Sequence, residues 1–88
     1  MVQENMVLTN ELGLHARPAS ALTKIALKYK SNVTLQGNGK TVDAKSIIMV
    51  MTMGVKGGCP LIVIADGPDE LECMAAIQDL VENKFYEE

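Results

Sequence analysis

The stretch PLIVIA, residues 60–65, is the segment that most limits what this chain can become. Five successive apolar residues, three of them β-branched, follow a proline. Glycines stand on one side (Gly57, Gly58) and Asp66-Gly67-Pro68 on the other. The run is too short for an ordinary helix and is closed at both ends by turn residues. It predicts a strand that is apolar on both faces, and such a strand belongs in the interior of a sheet. An interior strand needs a neighbour on each side, so partners must be found elsewhere in 88 residues.

They are found. VQENMVLT alternates, with Met6 and Leu8 on one face. SNVTLQ turns Val33 and Leu35 inward and KTVD is its return strand around Gly37-Asn38-Gly39-Lys40, where Asn-Gly is a strong hairpin signal. Between the strands lie helical patterns. From Ala16 to about Lys28, residues Leu22, Ile25, Ala26 and Tyr29 form one apolar stripe with Ala19 beside it. KSIIMVMTMG fits a short helix capped by Ser46 and stopped by Gly54, although its β-branched character also suits a strand. After the DGP turn, Asp69 and Glu72 have capping-box spacing. Leu71, Met74, Ile77, Val81 and Phe85 would form the buried face of that last helix. The order is β-α-β-β-α-β-α in a single domain, residues 1–88. Four strands and three amphipathic helices at this length imply a sheet covered on one face.

Charge is divided along the chain. Residues 1–56 hold seven basic groups against three acids, whereas residues 57–88 hold Lys84 alone against eight acids. The basic part suits an acidic partner, and the acidic part a solvated helix and tail. The net charge of −3 and the three aromatics, Tyr29, Phe85 and Tyr86, argue against nucleic-acid binding. No apolar run has membrane-spanning length. MVQENM lacks the pattern of a signal peptide, so the expected compartment is the cytosol. Cys59 and Cys73 have no metal spacing and are expected as reduced core or boundary residues.

The chemistry gathers at LGLHARPAS, residues 12–20, which contains the one histidine. His15 stands where the first helix begins. Amides at a helix start lack intrahelical partners, and the macrodipole there favours an anion. Pro18 suits a first turn because it gives up no helical hydrogen bond. Neutral imidazole is a nucleophile, and Arg17 offers planar charge-assisted bonds to phosphoryl oxygens. Together they suit a transient phosphohistidine, because phosphoryl transfer asks mainly for positioning and electrostatics. A lone histidine at a helix start is also often only a surface residue. The chain has no GxxxxGK[ST] loop and no ligand cluster, so neither a cofactor nor a metal is expected. Arg17, Lys24 and Lys28 share one helical stripe beside His15. Leu14 either tucks into the core or, with Leu12, forms an apolar knob. The second helix is apolar all round, so part of it meets something other than its own stripe.

LGLHARPAS together with GKTVDAKSIIMVMTMGVKGG, at this separation and chain length, resembles the HPr family. These are the histidine-containing phosphocarriers of the bacterial phosphoenolpyruvate:sugar phosphotransferase system, and the likeness spans essentially the whole chain. It implies an α+β open-faced β-sandwich, with four antiparallel strands covered on one side by three helices. It implies that enzyme I passes a phosphoryl group to Nδ1 of His15, with Arg17 assisting. The phosphoryl group then passes to sugar-specific enzyme IIA domains, so the protein is a carrier rather than an enzyme.

The resemblance also implies that Ser46 is a regulatory acceptor for HPr kinase/phosphorylase. The seryl-phosphorylated form would partner a catabolite-control transcription factor. The expected docking surface comprises Leu14, Arg17, Ser20, Lys24, Ile47, Ile48 and Met51, on a monomer. Two residues depart from the family pattern: Met49 where Gram-positive-type members usually have glycine, and Leu12 where a small or polar residue is common. Both bear on partner choice. The competing reading is a regulatory paralogue of the nitrogen branch or of catabolite control, acting mainly through protein binding.

Overall fold

The computed structural model describes residues 1–10 and 12–86. The Glu11 position of the predicted loop and the Glu87-Glu88 end of the acidic tail lie outside the described residues. The elements are β1 (Val2–Val7), α1 (Ala16–Leu27), β2 (Asn32–Gly37), β3 (Lys40–Asp43), α2 (Ile47–Met51), β4 (Pro60–Asp66) and α3 (Glu70–Glu82). A left-handed turn, Lys84–Tyr86, follows. This is the predicted order, and within 46–54 the stretch Ile47–Met51 is helical rather than extended.

The four strands form one antiparallel sheet in the order β1-β4-β2-β3. PLIVIA is therefore interior, with Met6 opposite Leu61 on one side and Leu35 opposite Val63 on the other. Its inward set, Leu61, Val63 and Ala65, is fully buried under the helices. Ile62 and Ile64 point to the far face and are only half-buried. Their cross-strand partners are Asn5 and Gln36 for Ile62, and Gln3 and Thr34 for Ile64. An interior strand can thus be apolar on both sides while one sheet face stays open, because polar neighbours flank the two isoleucines.

The β2–β3 hairpin closes on Asn38 and Gly39, both at positive φ (53° and 76°), the pair of signs a two-residue I′ turn requires. On the covered face, Leu22, Ala19 and Ala26 of α1, Val50 of α2, and Cys73 and Ile77 of α3 meet the inward strand residues in one core. A Leu, Val or Ile side chain of this core stabilises by roughly 1.5–3 kcal/mol when fully buried.

Four expectations are corrected. Leu71 is 68% exposed, because it follows Glu70 in the first turn of α3 on the side away from the sheet. Phe85 is buried, but not as part of α3. The helix ends at Glu82, and Phe85 returns to the core through the left-handed turn. Asp69 is the N-cap residue of α3 but does not form the capping box with Glu72. Its carboxylate turns to the α1–β2 connection and accepts from the Ser31 hydroxyl and the Lys30 and Ser31 amides (2.9 and 3.0 Å). Three donors there outcompete the single amide of its own helix. The second helix also ends slightly early, with Thr52 as its C-cap and Gly54 two residues beyond.

Candidate functional site

The loop before α1 is held by its backbone. Gly13 has φ +69°, and a Cβ there would lie 2.2 Å from the Val55 carbonyl oxygen and 2.4 Å from Lys56 Cα. Glycine is needed both for the dihedral and for this approach. The next amide, Leu14 N–H, donates to the Val55 carbonyl (2.9 Å), tying the loop to the segment before β4. The His15 amide then donates to the Gly13 carbonyl (3.0 Å).

His15 is the N-cap residue of α1, with extended backbone (φ −83°, ψ −171°), and its carbonyl accepts the first helical bond from Ala19 (2.9 Å). The imidazole makes no side-chain capping bond to the first turn. Pro18 is the third helical residue, so the amides of Ala16 and Arg17 are the donors left without i−4 partners. No acidic residue occupies that turn. His15 is half-buried and Arg17 is exposed. The arrangement places a half-buried imidazole, the Ala16 and Arg17 amides, the positive end of a twelve-residue helix and a guanidinium within one turn of chain. It favours an anion beside the imidazole.

The other site residues divide between α1 and α2. Ser20 is half-buried and Lys24 exposed on α1. Thr23, between them, donates its hydroxyl to the Ala44 carbonyl (2.9 Å), and Lys45 Nζ donates to the Tyr29 carbonyl (3.0 Å). These bonds bring the start of α2 against α1. Ser46 is the N-cap residue of α2, and its hydroxyl oxygen accepts from the Met49 amide (3.4 Å). The helix buries Val50, and Met53 follows it into the core, while Ile47, Ile48, Met49 and Met51 are 37–72% exposed. The excess apolar residues of α2 are therefore exposed, on a helix that packs against α1.

Leu14 is a correction. It is 3% exposed and belongs to the core cluster, drawn in by the Leu14–Val55 backbone bond, so it is not a docking knob. Leu12 is the exposed leucine of that loop. Sequence reasoning also passed over Asn10, whose side-chain Nδ2 donates to the Gly13 carbonyl at 2.7 Å while 6% exposed. The only signal for it was an asparagine opening a glycine-containing loop, the pattern of an Asx turn.

Cys59 is exposed and Cys73 buried, both as free thiols, and burial pushes the Cys73 thiol up. Among the described residues no three His, Cys, Asp or Glu side chains come together as a metal set. No described helix is long and apolar enough to cross a membrane.

This geometry has close counterparts. The family described as "PTS HPr component phosphorylation site" matches residues 2–83. The phosphocarrier protein HPr of Xylella fastidiosa (strain 9a5c) is 41% identical over 88 residues, covering 100% of this chain and 99% of that one. Among solved structures, HPr-C-His from Thermoanaerobacter tengcongensis superposes with a TM-score of 0.94 at 40% identity, covering 100% of this chain and 99% of that one. An HPr dimer from the same organism gives 0.76 at 39%, covering 97% and 98%. With the predicted open-faced fold in place and likeness over its full length, the chain belongs to the HPr family of phosphocarrier proteins of the phosphotransferase system.

Proposed function

We propose that His15 is the phosphoryl-carrying residue, loaded by phospho-enzyme I and unloaded onto enzyme IIA domains. The observation that carries this reading is the position of His15 as N-cap residue of α1, with the Ala16 and Arg17 amides and the Arg17 guanidinium in the same turn. In the step itself, the lone pair of Nδ1 attacks phosphorus and an N–P bond forms. The bond from phosphorus to the donor breaks, and the donor leaves with its electron pair. The Ala16 and Arg17 amides and the Arg17 guanidinium stabilise charge on the phosphoryl oxygens in transit. Return transfer to an acceptor reverses these roles, so the protein ends unchanged.

Partner docking falls on Arg17, Ser20 and Lys24 of α1 and on Ile47, Ile48 and Met51 of α2. Their exposed apolar and basic mixture suits an acidic partner with an apolar centre. Ser46 stands at the edge of that surface. Phosphate on its hydroxyl would sit at a helix start, leave the fold intact and repel an acidic partner. HPr kinase/phosphorylase and a catabolite-control transcription factor are the partners this second modification would serve, and the protein would act as a cytoplasmic monomer.

Intact-mass spectrometry after incubation with phosphoenolpyruvate and a bacterial enzyme I tests the carrier role. The wild type should gain one acid-labile phosphoryl group, His15→Ala none, and Arg17→Ala should load more slowly. Equal loading of wild type and His15→Ala would remove His15 as the carrier.

A further inference from the structure

We infer that Asn10 is a positioning residue for His15, acting through the Gly13 carbonyl. It rests on the reading of His15 as the phosphoryl acceptor. Asn10 brackets Gly13 from both sides. Its main-chain carbonyl accepts from the Gly13 amide (3.3 Å), and its side-chain Nδ2 donates to the Gly13 carbonyl (2.7 Å). That same Gly13 carbonyl accepts the His15 amide (3.0 Å). One oxygen thus receives the Asn10 side chain and the backbone of the reacting residue together. Beyond Gly13, the Leu14 bond to Val55 fixes the other side of the loop. The direction in which His15 enters α1 is set between these two anchors.

The unmatched half of the amide supports the assignment. Asn10 is 6% exposed, yet its Oδ1 has no hydrogen-bond partner among the described residues. A buried polar atom without a partner is costly, and an apolar residue of similar size would avoid that cost. What such a residue would lose is the Nδ2 donation, which is aimed at the carbonyl that holds His15. Small displacements of a reacting group lower transfer rates steeply, because alignment with the incoming phosphorus supplies much of the acceleration.

The test compares wild type with Asn10→Ala in steady-state transfer from phospho-enzyme I, alongside amide hydrogen exchange by NMR. Asn10 lies outside the docking surface, so the variant should keep its KM for enzyme I and lose about tenfold or more in maximal rate. Exchange at the His15 amide should accelerate by a similar factor, while core amides of β4 keep their protection. A rise in KM with an unchanged maximal rate would overturn the inference, and so would an unchanged His15 amide. A variant that does not fold is covered by the wild type itself. One Asn10 side-chain amide proton should exchange slowly and show a contact to Gly13, and free exchange of both protons would overturn the assignment. If the wild type accepts no phosphoryl group, the carrier reading fails. The exchange measurements still decide whether Asn10 orders His15.

Discussion

At Gly13 a methyl group meets backbone on one side and an unfavourable dihedral on the other. A Cβ would lie 2.2 Å from the Val55 oxygen, and φ is +69°. Gly13→Ala should therefore cost about 2–4 kcal/mol, combining left-handed strain with overpacking against main chain that has no side chain to move aside. Urea unfolding at pH 7 measures it. A loss under about 1 kcal/mol would mean that the loop shifts cheaply, and the anchoring of His15 with it. The candidate site stands out in the sequence because its signal is local: imidazole, guanidinium and first-turn proline fall within four positions of each other, and helix-end electrostatics act over one turn. Leu14 and Asn10 were not legible in this way. Whether a loop leucine faces water depends on the Val55 carbonyl, forty-one positions away, and whether a loop asparagine is buried depends on tertiary packing that its sequence neighbours do not report.

Among the elements, α3 shows how a local motif is overridden by tertiary donors. The spacing of Asp69 and Glu72 predicted a self-contained cap, but Asp69 instead joins the start of α3 to the α1–β2 connection. The Ser31 hydroxyl first, then the Lys30 amide, hold the Asp69 carboxyl below the usual aspartate range. A group depressed on folding stabilises fully above its unfolded pKa, and that stabilisation disappears as pH falls through the folded value. Wild type should therefore be more stable than Asp69→Ala at pH 7. The gap should begin to narrow below about pH 4 and close as the carboxyl protonates in the folded state. Denaturation midpoints for both proteins between pH 7 and pH 2 measure it, and a gap that is flat across that range would mean the bonds to Ser31 and Lys30 contribute nothing. Strand and helix types were otherwise legible from periodicity. The run 46–54 needed tertiary structure to resolve, since only the packing of Val50 and Met53 against the core separates its buried residues from Ile47, Ile48, Met49 and Met51.

Across the whole molecule, the division of charge seen along the chain becomes a division in space. Helix α1 packs against both α2 and α3. It carries exposed Arg17, Lys24 and Lys28, whereas α3 carries Glu70, Glu72, Asp79 and Glu82 with no basic residue. The sheet's open face was not legible in PLIVIA, because coverage is decided by where the helices cross and not by the strand's own composition. The polarity of the helical layer was legible, because net charge per segment survives folding. It has a kinetic consequence. A partner whose docking surface is acidic is drawn to the α1–α2 side and repelled from α3, so encounter is oriented before contact. Exposed charges act over a Debye length of about 10 Å at 0.1 M salt, and this steering weakens as salt is added. The second-order rate constant for transfer from phospho-enzyme I should fall about tenfold or more between low salt and about 0.5 M. Lys24→Glu should be slower than wild type at low salt and show a shallower salt dependence, so that the two curves approach each other as screening increases. Rapid-quench measurements across the salt series read both slopes. Parallel curves would place docking away from the α1 stripe, and a wild-type rate indifferent to salt would remove electrostatic steering from the encounter altogether.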